Sequence, residues 1–212
     1  VKILQDRNDP RLFEFGEPIA GMAAGDFDNY AGVDAGLTLS DQQTTSANAS
    51  RIKTRYHDDK LNEPWILIGY AEQELLIAEA ITRNWINGDA EEHYNNAVTA
   101  SMSFYNIGAD DISSYLQQST VAFNNATALE QIAIQKYIAL FMNGGWESFV
   151  EQRRTGIPTL SVGPGTYNNG QVPKRWLYPQ TEYDYNADNV TGAVQSQYSG
   201  DDDVNKVMWL LQ

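Results

Sequence analysis

The stretch from Thr127 to Pro158 constrains the fold more than any other, because it holds a helix start, two helices, a turn and a stop in succession. Thr127 and Glu130 have capping-box spacing, in which the Thr oxygen accepts a first-turn N–H and the Glu reaches back to the Thr N–H, so a helix is predicted from about Ala128. From Leu129 the apolar residues Ile132, Ala133, Ile134, Tyr137, Ile138, Leu140, Phe141 and Met142 cover most of the circumference. Only Gln131 and Gln135 remain as a narrow polar stripe, and a helix apolar on so many sides belongs inside. Gly144 and Gly145 permit the chain to turn, after which Trp146, Phe149, Val150 and Arg153 recur at i, i+3, i+4 and i+7. Arg153 and Arg154 suit the last turn of this amphipathic helix, Gly156 breaks it, and Pro158 prevents its continuation.

Upstream, the pattern turns helical at about Tyr70. Leu75, Leu76, Ile77, Ala78, Ala80, Ile81, Trp85 and Ile86 form a broad apolar surface closed by Asn87 and Gly88. Asp89 with Glu92 repeats the capping box, and Tyr94, Ala97, Val98, Met102 and Tyr105 carry one apolar face to Gly108. Asp110 or Asp111 can cap a short helix bearing Ile112, Tyr115 and Leu116. Helical hairpins in tandem therefore occupy residues 67–158. Such pairs suggest tetratricopeptide-like packing, although the spacing exceeds the roughly 34-residue repeat. Residues 1–66 are rich in turn formers and read as a loop-rich segment draped on the helices, and residues 159–212 read as an irregular segment. The expectation is a mainly α protein of helical hairpins with long irregular loops, forming one domain.

Charge and composition narrow the function classes. Against 14 basic residues stand 28 acidic ones, a formal charge of −14 that repels nucleic-acid phosphates and anionic lipid. No cysteine is present, which excludes disulfides, thiolate metal sites and Cys nucleophiles. His57 and His93 lie far apart without a recognisable second ligand, so no zinc site is expected. The acidic pairs Asp26 with Asp28 and Asp201 to Asp203 lack EF-hand spacing and read as solvated loop acids. Gly163, Gly165 and Gly170 lack the Gly-Lys-Ser/Thr ending of a phosphate loop, and serine-nucleophile motifs are absent. No cofactor is expected. No stretch approaches the roughly 18 apolar residues of a membrane span. A chain opening on Val1 fits a mature or truncated form.

Segments spread over most of the chain carry a family resemblance: Asp9-Pro10-Arg11-Leu12, Tyr30-Ala31-Gly32-Val33, Tyr70-Ala71-Glu72 to Ala78-Glu79-Ala80, and Gln135-Lys136-Tyr137 to Phe141. They continue with Trp146-Glu147, Arg153-Arg154-Thr155-Gly156-Ile157-Pro158, Pro173-Lys174-Arg175, Tyr178-Pro179, Glu182, Asn186 and Lys206-Val207-Met208-Trp209. In order and spacing the chain resembles the SusD/RagB group of outer-membrane lipoproteins, departing at Met208-Trp209, where two aromatics are expected, and in the short loop between Pro158 and Pro173. The resemblance implies tetratricopeptide-like helical pairs in a protein about twice this length, of which this would be the C-terminal half, the lipidated Cys lying in the other half. It also implies a lipid-anchored, surface-exposed protein of Bacteroidetes that caps a TonB-dependent, SusC-like transporter. Such a protein binds an oligosaccharide or another nutrient for import, without catalysis.

Carbohydrate recognition needs flat apolar faces beside hydroxyl-binding amides and carboxylates. Tyr30, Tyr56, Trp65 and Tyr167 lie in loop-like sequence and are candidate ligand-binding residues; each also fits as packing against the helices. Glu72 and Glu79 stand on a largely apolar helix, with Arg153, Arg154 and Arg175 in the motif regions. They read as structural ion pairs tying helices to the exit segment, since a buried charge demands a partner. The alternative is a carboxylate pair for glycoside hydrolysis. A helical scaffold that contacts only protein partners is the remaining reading.

Overall fold

A computed structural model describes residues 1–58, 64, 66–168 and 170–211. Among the described residues the regular structure is helical: α1 (Lys2–Gln5), α2 (Leu12–Phe15), α3 (Leu39–Ser46), α4 (Tyr70–Thr82), α5 (Ala90–Phe104), α6 (Ala109–Leu116), α7 (Ala128–Ala139), α8 (Glu147–Thr155), α9 (Gln180–Tyr185) and α10 (Ala187–Tyr198). The one extended pairing among them is an isolated bridge between Gly16 and Ile52. The mainly α expectation holds. No helix of the described residues is long and apolar enough to cross a membrane. The chain divides into two compact units, one of residues 1–33 and 44–158, the other of residues 34–43 and 159–212.

In the first unit α4 packs along α5, and both also meet α7. The helix starts show which capping signals operate. Asp89 accepts hydrogen bonds from the Glu91 and Glu92 backbone N–H groups, as its spacing predicts. Thr127 precedes α7 at the expected place, but its side chain makes no cap bond. Gly108, not Asp110 or Asp111, stands before α6. At the end of α8, Gly156 takes the left-handed conformation at φ 75°, which a Cβ would disfavour.

Why α7 is apolar nearly all round follows from what surrounds it. Its Ile132 joins Leu75, Tyr94, Val98, Met102 and Tyr115 in one buried cluster, while Ile134 and Ile138 join Leu4, Leu12, Phe15, Tyr30 and Tyr105 in another. One helix thus serves two cores. Within the first, burial pushes the Tyr94 phenol up to about 12, and its hydroxyl donates to Val121 O at 2.9 Å.

The polar stripe expected on α7 is half wrong. Gln135 is buried, because Arg11 needs it. The Arg11 guanidinium, fully buried, grips Asp9 with Nε–Oδ1 at 2.9 Å and Nη2–Oδ2 at 2.6 Å. It also donates to Ser101 Oγ at 2.9 Å and to Gln135 Oε1 at 2.7 Å, and Gln135 Nε2 donates to Tyr115 Oη at 2.9 Å. Burial alone would lower the Arg11 pKa, but the Asp9 carboxylate outweighs it and the cation is held above its ordinary range. A charged pair at such depth survives only because every neighbour supplies a hydrogen bond.

The second unit corrects the expectation of an irregular 159–212, since α9 and α10 fill residues 180–198. Val190, Val194 and Tyr198, spaced by four, bury one face of α10. Arg175 is buried here: it pairs with Asp202 and lies over the Tyr198 ring, 4.1 Å from its centroid. Asp202 also accepts from the Tyr178 N–H at 3.1 Å and the Tyr183 hydroxyl at 2.8 Å. Its desolvation favours protonation, yet the bonds from Arg175, Tyr183 and Tyr178 prevail and hold the carboxyl below its usual range. Asp202 is therefore a structural anchor and not a solvated loop acid.

Candidate functional site

A cavity of about 440 Å³ opens on the first unit where the start of α4 faces the ends of α5 and α7. That volume lies within the range of small-ligand sites. Phe104, Tyr105 and Leu140 line it from the helices, and Ile66, Leu67 and Ile68 from the chain leading into α4. Leu67 and Ile68 are 84% and 77% exposed, an unusual cost for aliphatic side chains beside a cavity. Tyr70, also exposed, adds an aromatic face. Its phenol stands above the ordinary value through desolvation and then through the nearby Glu74 carboxylate. The polar complement is Glu72, Ser101, Asn143 and Glu147. Neither Glu72 nor Glu147 has an ion-pair partner among the described residues. An aromatic face beside free carboxylates and an amide suits C–H stacking with hydroxyl hydrogen bonding.

The tyrosines singled out in the sequence do not converge on this cavity. Tyr30 is only 2% exposed, its ring 5.4 Å from that of Phe13, so it is core and not a loop-presented aromatic. Tyr56 is half-buried, edge-on to Phe141, with its hydroxyl 3.3 Å from that of Tyr105. Tyr167 is fully exposed, in the second unit. Trp65 lies outside the described residues. What sequence reading missed was Tyr70, Asn143 and Glu147. The signal available was Ile66-Leu67-Ile68, an apolar run just before a helix that already has an apolar face of its own.

The charged residues separate by role. Glu79 accepts from Arg83 Nε at 2.7 Å and sits 2.8 Å from Arg154 Nη1, joining α4 to α8. Burial would raise its pKa, but the hydrogen bonds from Arg154 and Arg83 override it and hold the carboxyl below its usual range. Arg154 also meets Glu151 at 2.6 Å, and Glu151 faces Lys136 of α7 at 3.5 Å. Arg153 lies over the Phe149 ring at 5.3 Å. Glu72 belongs to the cavity instead, and Arg175 pairs with an aspartate, not a glutamate. Seven residues separate Glu72 from Glu79, roughly 10 Å along the helix axis. Since Glu79 is also clamped by two guanidinium groups, these carboxylates make a poor acid–base pair. His57 pairs with Asp58 and His93 with Glu74, and among the described residues no three metal-ligating side chains gather.

Comparison with known proteins places these features in context. A SusD-like family model, described as starch-binding and associating with the outer membrane, matches residues 1–179. Among solved structures, a SusD homologue from Bacteroides fragilis NCTC 9343 is 32% identical with a TM-score of 0.90, covering 100% of this chain and 50% of its own. A candidate outer-membrane protein from Bacteroides vulgatus ATCC 8482, with nutrient binding as its suggested role, is 35% identical at a TM-score of 0.89, covering 99% of this chain and 50% of its own. A chitin-binding protein is 30% identical at a TM-score of 0.81, covering 99% and 48%. The chain therefore spans about half the length of the structures it matches. No curated protein matched.

Proposed function

The chain belongs to the SusD-like family, and from that membership we propose that it helps hold an oligosaccharide or another nutrient at the outer surface of the cell, for delivery to a TonB-dependent, SusC-like transporter. The proposal includes an outer-membrane location and a role in binding without catalysis. The observation that carries it is the cavity at the start of α4, where the Tyr70 ring stands beside Glu72, Asn143 and Glu147. A sugar ring offers an apolar C–H face and an edge of hydroxyls, and this lining can meet both. Hydrolysis is disfavoured by the clamping of Glu79, and a pure protein scaffold would leave the polar complement of the cavity without a task.

The test is retention and product size on a panel of labelled polysaccharides, starch and chitin oligomers among them, for protein carrying these 212 residues. Retention without shortening, weakened about tenfold by Tyr70→Ala or Glu72→Gln, is the expected result. Shortened products would make the protein an enzyme. Capture of the transporter with no glycan retained would leave the scaffold reading in place.

A further inference from the structure

A second, chemically different cleft of about 350 Å³ opens on the first unit where Arg7 faces residues 119–131. Its lining is polar where the first cavity is apolar. Arg7 Nη1 donates to Ile3 O at 3.1 Å. Its remaining guanidinium donors have no ion-pair partner among the described residues, in a chain with twice as many acidic as basic residues. The Arg7 charge reaches the cleft wall, since with Arg11 it opposes the burial that drives the Tyr94 phenol upward. Across the cleft, Ser119, Thr120 and Thr127 present hydroxyls that make no hydrogen bond to the described protein, and Glu130 is an exposed carboxylate with no ion-pair partner among the described residues.

The loop leading into α7 is pinned before any ligand arrives. Gln131 donates to Ala122 O at 2.8 Å and accepts from the Asn124 N–H at 2.9 Å. The Asn124 side-chain oxygen is occupied by the Ala126 N–H at 2.9 Å, which leaves its amide NH₂ as the group available to a ligand. A loop fixed in this way loses little freedom on binding. The charge balance sets the kind of anion. One guanidinium faces one carboxylate across the cleft, so a single planar negative group can take the Arg fork while a polyanion would meet Glu130.

We propose that this cleft binds a uronic-acid residue of an oligosaccharide, its carboxylate on Arg7 and its hydroxyls on Ser119, Thr120, Asn124 and Glu130. The inference rests on the saccharide-binding reading above and adds a second subsite with its own specificity. The experiment measures binding of an otherwise neutral oligosaccharide carrying one uronic-acid residue and of the same oligomer after carboxyl reduction, together with the neutral glycans of the panel. The acidic oligomer is expected to bind about tenfold more tightly than the reduced one, with the preference shrinking as salt rises. Arg7→Gln removes the preference, Glu130→Gln strengthens it, and Asn124→Ala weakens both oligomers alike. Circular dichroism checks that each variant is folded; Asn124 and Glu130, being exposed, keep the test open if Arg7→Gln is not. Equal binding of the two oligomers, or a preference that survives Arg7→Gln, overturns the subsite while neutral-glycan retention keeps the broader reading. A sulfated oligomer preferred over the uronate also overturns it, and no retention of any glycan overturns both.

Discussion

At the scale of single residues, Arg11 and Glu79 show how differently two buried charges behave. Arg11 spends its guanidinium on Asp9, Ser101 and Gln135, so Arg11→Met leaves the Asp9 carboxylate buried without a counter-ion, although the backbone N–H of residue 11 still donates to it. Denaturant unfolding should show a loss of about 3–5 kcal/mol, part of which returns when Asp9 is made apolar as well. Glu79 is a pH-sensitive counterpart. Its folded pKa lies below the ordinary 4.5, so the unfolded chain takes up a proton first as acid is added. The stability it contributes is complete above about 4.5 and fades as pH falls through the folded value. In thermal melts below pH 5, Glu79→Gln should flatten the acid limb and lower the melting temperature near neutrality. The Asp9-Pro10-Arg11 run was visible in the sequence, but nothing local says that it reaches partners on α5 and α7. Tyr30 misled for the converse reason. A tyrosine between glycines looks presented, and only the fold brings Phe13 against it.

At the scale of elements, the helices with a strong apolar pattern were legible and those without one were not. The α4–α5 pair follows the 3.6-residue period because each buries one face, and Gly156 ends α8 where the sequence places a stop. α7 was legible as buried, yet its double service to two clusters depends on what packs around it. α9 and α10 escaped notice because polar residues, Gln and Thr among them, outnumber the apolar ones, leaving three buried side chains on α10 as the only period. Capping separates signal from use: Asp89 caps α5 and Thr127 caps nothing. Asp89→Ala should therefore cost about 1 kcal/mol in chemical denaturation, whereas Thr127→Ala should be close to neutral. Of the proposed sites, Glu72 was singled out in the sequence, but as an ion-pair member and not as a ligand-binding residue. The cleft at Arg7 was not singled out, since it draws on a turn after α1 and on the entry to α7.

At the scale of the molecule, each compact unit is built from two separate chain stretches, and those of the second unit lie far apart in sequence. In the second unit Gly165 donates its N–H to Gly36 O at 2.8 Å, and a Cβ at Gly165 would overlap the Leu37 carbonyl. Gly165→Ala should cost about 1–3 kcal/mol and speed hydrogen exchange at Gly165 and in the 34–43 segment, read by mass spectrometry. The first unit carries its own version of the same dependence. Arg11 finds its partners 90, 104 and 124 residues later in the chain. At translation speeds of about 5–20 residues per second, the gap between making Arg11 and making Gln135 is on the order of ten seconds. For that interval the charge pair lacks its Gln135 partner, and the apolar Leu12 and Phe15 beside it lack Ile134 and Ile138 of their cluster. The earliest-made part of this unit is thus among the last to be sealed, and it is the part a nascent chain would most need to have shielded.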